Sequence, residues 1–332
     1  MLLQRREKPR VIISFIVCAI LISGSFFILF FRQRILDQIT VWQFKPTTEI
    51  TTLTDRLGLN QDGKLIFFAS QPQLNSSSDF NNVCKRIEYT TSILGCYSNY
   101  QIYIYNVTDA KLDGIREVTA AHEMLHAAYQ RMTEAEKANI TPLLEAEYKK
   151  LSTDKDFVNL IDFYARTEPG ERINELHSVI GTSVAKIDPL LEDHYNQYFS
   201  DRQAIVRFYV KYNSVFQDLN DRAKILADQL NALSISIPAK SSQYNLDVHT
   251  LNSDINTFNS RAESGYFTLG KFNAEKAMLE ARVVGIDSTR DSINSDTVNY
   301  NALLSEYNSI ASESKKLFNS IDSTLIEAPL VD

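Results

Sequence analysis

The chain carries no surplus of positive charge: Lys and Arg total 34 against 41 Asp and Glu, a net charge of -7. Phosphate backbones are held by clustered Lys and Arg, so nucleic acid is excluded as a partner. Cysteine is scarce, with only Cys18, Cys84 and Cys96 in 332 residues. Histidine is scarce too, at five. At that abundance H-E-x-x-H arises by accident in roughly one chain of this length in a hundred. It occurs here as His122-Glu123-Met124-Leu125-His126.

A further absence concerns the N-terminus. Residues 11–31, VIISFIVCAILISGSFFILFF, contain no charge. At about 1.5 Å per residue such a run is long enough to cross the hydrocarbon core as a helix. No small-x-small cleavage site follows, since the run ends in Phe30-Phe31-Arg32, and it is too long for the apolar part of a cleaved signal. Residues 11–31 are therefore expected to be a transmembrane signal anchor, preceded by a cytoplasmic tail over 1–10. Arg5, Arg6, Lys8 and Arg10 outnumber Arg32 and Arg34 across the span. That bias predicts a single-pass protein of the cell membrane with its N-terminus cytoplasmic and the remainder extracellular. Cys18 then packs inside the span, and Cys84 and Cys96 are expected to form a disulfide.

Residues 32–46, with Trp42 and Phe44 beside Lys45, read as a juxtamembrane stalk. A short helix ending near Gly58 follows, then a strand over 64–69, a loop or helix cap at 75–79, and a second strand over 97–107. Asp109 or Asp113 can cap the helix that carries the histidines, with Ile115, Val118, Leu125 and Ala128 as its apolar positions. Further helices are expected over 133–150, 156–165 and 173–180. Residues 47–187 thus read as a mainly helical α+β unit with a small sheet.

Beyond Pro189 the pattern becomes heptad. Ile205, Tyr209, Tyr212, Phe216, Leu219, Ala223, Leu226, Leu230, Leu233 and Ile237 recur at spacings of four and three, and Tyr244 to Ala262 resume the seam after Pro238. A kink or short break is expected at that proline. After Ser264-Gly265, the positions Leu279, Val283, Ile286, Ile293, Tyr300, Leu304, Tyr307, Phe318 and Ile321 form a returning seam. Residues 188–325 are expected to be an antiparallel coiled-coil hairpin, and 326–332 a tail.

Residues four apart share a helix face, so His122 and His126 can reach one zinc ion. Glu123 is then placed to act as general base on a metal-bound water. A catalytic site needs a third protein ligand. The metzincin continuation fails, because Tyr129 and Met132 stand where its Gly and His belong. Downstream, Asn174-Glu175-Leu176-His177-Ser178 combines a Glu and a His on one expected helix. Glu175 would complete a two-His, one-carboxylate set, and His177 a three-His set. Two residues apart on a helix, only one of them can face the metal. His177, Tyr164 and Tyr129 are candidates to stabilise an oxyanion, although packing explains Tyr129 better. His194 and His249 read as helix-surface residues. Arg166 and Arg172 could pair with Glu168 or Glu171.

The segments AAHEMLHAAY (120–129), YARTEPGER (164–172) and NELHS (174–178) resemble a family of bacterial membrane-anchored, gluzincin-like zinc metallopeptidases. The resemblance implies a zincin-like catalytic domain, one Zn²⁺ per chain, and Glu175 as the third ligand. Val179 stands four residues after Glu175, where many gluzincins place an Asp that orients a ligand histidine. The function so implied is hydrolysis of a peptide or protein substrate, with the membrane reached through residues 11–31. The hairpin would engage a coiled-coil partner or a cell-wall component. The alternative is a non-enzymatic envelope scaffold or adhesion protein whose metal site is structural.

Overall fold

The computed structural model describes residues 7–85, 93–167 and 170–324; the side chains of 7–12, 20 and 26–30 are not described. The expected tail 326–332, most of the N-terminal tail with Arg5 and Arg6, and Glu168 lie outside the described residues. Twelve α-helices, three strands and one 3-10 turn (Ala110–Leu112, between β3 and α6) are described, in the order α1 (Glu7–Phe30), α2 (Arg32–Gln43), α3 (Thr48–Arg56), α4 (Gln61–Ala69), β1 (Gln73–Asn75), α5 (Ser77–Val83), β2 (Gly95–Ser98), β3 (Gln101–Tyr105), α6 (Ile115–Arg131), α7 (Glu134–Lys150), α8 (Lys155–Thr167), α9 (Arg172–Ser183), α10 (Pro189–Tyr195), α11 (Arg202–Glu263) and α12 (Leu269–Ile321). The architecture is mainly helical with one small sheet, as expected at that level.

The expected transmembrane anchor is overturned. Among the described residues no helix is long and apolar enough to cross a membrane. The single-pass membrane localisation and the orientation that rested on that anchor fall with it.

The chain divides into two compact units, one of residues up to Val215 together with those from Phe318 on, the other from Phe216 to Leu317. In the first, helices surround a sheet of order β1-β3-β2. β1 pairs parallel with β3, and β2 pairs antiparallel with it, Cys96 opposite Tyr103. Ile102 and Ile104 of β3 are buried in a core shared with Ala120, Ala121, Met124 and Leu125 of α6 and with Leu176 and Ile180 of α9. The histidine helix is therefore sandwiched between sheet and α9.

Several local expectations change. Residues 64–69 belong to helix α4, because the Asn60 side chain accepts from the backbone N–H groups of Asp62 and Gly63 and starts a helix there. A short apolar run does not by its periodicity distinguish strand from helix. Residues 97–107 are not one strand. Asn99 and Tyr100 adopt φ of 51° and 64°, which turns the chain back in a two-residue hairpin between β2 and β3. The expected stalk is helix α2, whose Asp37 is 6% exposed. Asp37 receives two hydrogen bonds from the Arg131 guanidinium at the end of α6, of 3.0 and 2.8 Å.

In the second unit, α11 and α12 run antiparallel. Arg222–Glu306 (3.0 Å) and Lys240–Asp296 (2.7 Å) ion pairs link them, as does Arg261–Glu275 near the turn. Phe258 closes the tip, its ring centroid 5.2 Å from Phe267 and 5.1 Å from Phe272. α11 continues through Pro238 without a break; one missing N–H is tolerated where the seam holds the helix on both sides. On the return, Ile310 and Leu317 are buried while Val283, Leu304 and Phe318 are exposed. The expected seam is kept at Leu279, Ile286, Ile293, Tyr300 and Tyr307, which are half-buried, and missed at Val283, Leu304 and Phe318. At the start of α11, Ile205 is a core residue of the first unit, and Tyr209 and Tyr212 pack against that core.

Candidate metal centre

α6 presents His122 and His126 one turn apart, with Nε2 of one 3.0 Å from Nε2 of the other. Glu175, in the first turn of α9, brings its carboxylate to the same point. Its Oε1 lies 3.4 Å from Nε2 of His126, and its Oε2 lies 3.6 Å from Nε2 of His122. Ligand atoms about 2.0–2.1 Å from one tetrahedral cation stand about 3.3 Å apart. The three observed spacings scatter around that edge length, so the donor set fits one ion. His122, His126 and Glu175 are the one group of this kind found among the described residues.

The electrostatics point the same way. Burial lowers the His122 imidazole to about 4 and lowers His126 as well. Both are therefore neutral near pH 7 and keep a lone pair for a cation. Glu175 is 1% exposed, and burial raises its carboxyl above the usual range. Its Oε2 is buried without a hydrogen-bond partner. A buried carboxylate oxygen with no donor is costly, and a cation between it and the two imidazoles removes that cost.

The close packing of α9 on α6 that delivers Glu175 depends on Gly181. A Cβ there would fall 2.5 Å from Cδ1 of Leu125 and 2.7 Å from Cε1 of Tyr195. β2 approaches the other side of the site with similar tightness: a Cβ on Gly95 would lie 2.6 Å from Oε1 of Glu123 and 2.6 Å from Cγ2 of Thr119. Glu123 is buried beside the edge strand and is not part of the ligand set. Both residues open onto a cleft of about 700 Å³ that is also lined by Tyr97, Tyr129, Phe163 and Tyr164. The Tyr164 ring stacks over that of His122 at 6.1 Å.

His177 is placed elsewhere. It points away from Glu175, into a buried aromatic cluster, with its Nε2 2.9 Å from Nε2 of His194 and its carbonyl accepting from the Tyr195 hydroxyl at 2.7 Å. His194 is therefore a partly buried partner, not a surface residue, whereas His249 is exposed. Tyr129 packs against His177 at 5.7 Å and under Lys137 at 5.3 Å. Arg172 pairs with Glu145 and lies over the Tyr148 ring. Arg166 donates to the Asp162 carbonyl at 3.1 Å. Cys84 and Cys96 form the expected disulfide, with Cα atoms 5.8 Å apart, and both line the cleft.

Two features had no legible signal in the sequence. Asn174 lies 2.9 Å from Nδ1 of His126. Arg131, besides holding Asp37, donates to the hydroxyl of Tyr97 at 3.2 Å, and that hydroxyl donates to Gln130 at 2.6 Å. The buried ion pair thereby reaches the wall of the cleft. No protein-family model matches the chain, and no curated protein or solved structure is detectably similar to it.

Proposed function

We propose that this chain is a zinc metallopeptidase of the gluzincin-like kind, with His122, His126 and Glu175 as metal ligands and Glu123 as general base. The observation that carries the proposal is the partnerless Oε2 of Glu175 beside two neutral imidazoles. Two nitrogens and one carboxylate oxygen suit zinc. The bound ion would supply acidification of water and polarisation of a carbonyl.

The chain's own groups account for the remaining steps. Glu123, beside the site but outside the ligand set, takes up the proton of the attacking water and delivers it to the leaving amine. Gly95 leaves room for that carboxylate beside β2. Among the described residues β2 lies at the edge of the sheet and pairs with β3 alone, and an extended peptide can add to such an edge through backbone hydrogen bonds. Tyr164, stacked over His122, is the candidate to donate to the developing oxyanion.

The test is a peptide-library cleavage assay on the full chain loaded with zinc, compared with Glu123→Gln. Cleavage by the parent protein and loss of about 100-fold or more in the variant, at equal zinc content, is expected. Two zinc-loaded but inert proteins would instead assign the site to a structural role.

A further inference from the structure

Resting on the metal-site reading, we infer that Asn174 and Glu171 are positioning residues: they hold His126 in the tautomer, and the ring orientation, that binds the metal. The contacts run in one direction. Nδ1 of His126 lies 2.9 Å from Oδ1 of Asn174, and Nδ2 of Asn174 donates to Oε2 of Glu171 at 3.1 Å. Oγ of Ser178 is a further neighbour of the same Nδ1, at 3.3 Å.

Only one assignment of protons satisfies all these atoms. A carboxylate accepts and does not donate, so the amide must turn its NH₂ toward Glu171. Oδ1 then faces the imidazole and can only accept, so the proton of neutral His126 must sit on Nδ1. The lone pair is left on Nε2, the atom that faces His122 and Glu175. The reversed amide would set Oδ1 against a carboxylate oxygen and an NH₂ against the ring. It would also leave Nε2–H pointing into the ligand set.

The carboxylate therefore acts through the amide, one helical turn from Glu171 at the start of α9 to Asn174. Asn174 directly precedes the ligand Glu175, so one turn of backbone sets both a ligand and the orienter of another. This supplies the outer hydrogen bond to a ligand histidine that Val179 cannot make. Loss of such an outer partner typically lowers metal affinity about 10–100-fold. The effect at Glu171 is smaller, because its carboxylate is exposed to water.

The experiment compares the full chain with Asn174→Leu, which keeps size but removes both polar atoms, and with Asn174→Asp combined with Glu171→Gln, which keeps the acceptor toward the imidazole and lets the residue at 171 supply the donor between the two side chains. Zinc affinity is measured by competition with a chromophoric chelator, and the His126 tautomer by nitrogen NMR of the zinc-free proteins at neutral pH. The expected result is the Nδ1–H form in the parent and in the Asn174→Asp/Glu171→Gln protein, a mixture in Asn174→Leu, and zinc bound about 10–100-fold more weakly by Asn174→Leu alone. An Nε2–H form in the parent, or equal zinc affinity in Asn174→Leu, would overturn the inference. A parent that binds no zinc would remove the metal-site reading, while the tautomer measurement still decides what Asn174 does.

Discussion

Gly95 and Glu123 meet so closely that a single added methyl on the glycine would lie 2.6 Å from the carboxylate oxygen Oε1. Strand β2 thus sets the position of the general base from one side, while α6 holds it from the other. Gly95→Ala is expected to displace the Glu123 carboxylate without touching a metal ligand. Misplacement of a catalytic group by about 1 Å costs about 100-fold in rate. Peptide cleavage should fall by that order while zinc content stays at the parent level. Unchanged cleavage would mean that Glu123 has slack in that direction.

The pairing of Asp37 with Arg131 makes α2 part of the folded unit. Both side chains are at least nine-tenths buried and joined by two hydrogen bonds. Asp37→Ala strands a buried guanidinium, which costs about 3–5 kcal/mol. Urea denaturation should show that loss. A free stalk at this position would give a change within about 0.5 kcal/mol.

The Cys84–Cys96 bond closes a separation of 12 residues and anchors β2 to the end of α5. A closed loop of that order stabilises a fold by about 3 kcal/mol, chiefly by restricting the unfolded chain. The Cys84→Ser/Cys96→Ser protein should unfold at correspondingly lower urea. Because Gly95 adjoins Cys96, its cleavage activity should fall by more than its zinc content.

His194 provides a pH test. Burial holds its imidazole at about 4, below an ordinary 6.5. The folded state thus keeps the neutral form while the unfolded chain takes up the proton first. The stability this contributes is complete above about 6.5 and is lost as pH falls toward about 4. His122 titrates in the same sense, and the raised Glu175 carboxyl in the opposite one. In the zinc-free protein, His194→Gln should lower the slope of unfolding free energy against pH in that window by up to about 1.4 kcal/mol per pH unit. An unaltered slope would place His194 in water.

The helix around His122 and His126 was legible because helical spacing alone puts the two imidazoles on one face. Glu175 was one of two open positions, and the choice between it and His177 came from resemblance. The structure brings Glu175 to the histidines and sends His177 to His194. What stayed hidden depends on contacts between distant segments. Nothing near Asn174 signals its bond to a ring 48 residues earlier, and nothing near Asp37 signals Arg131. Residues 64–69 look like a strand until the Asn60 cap is known, and Tyr100 sits in a left-handed turn that its type does not suggest. The returning seam was legible along its seven-residue repeat, Leu279, Ile286, Ile293, Tyr300 and Tyr307, and misread at apolar residues that stand off that repeat. Apolar Leu304 and Phe318 face outward, while Ile310 and Leu317 are the buried positions.

The metal centre itself is tested most directly by equilibrium dialysis of the zinc-stripped full chain against zinc, alongside Glu175→Gln and Glu123→Gln. One equivalent of zinc in the parent and in Glu123→Gln, with loss of tight binding in Glu175→Gln, is the expected result. No zinc in the parent, or equal retention by Glu175→Gln, would contradict the assignment of His122, His126 and Glu175 as its ligands.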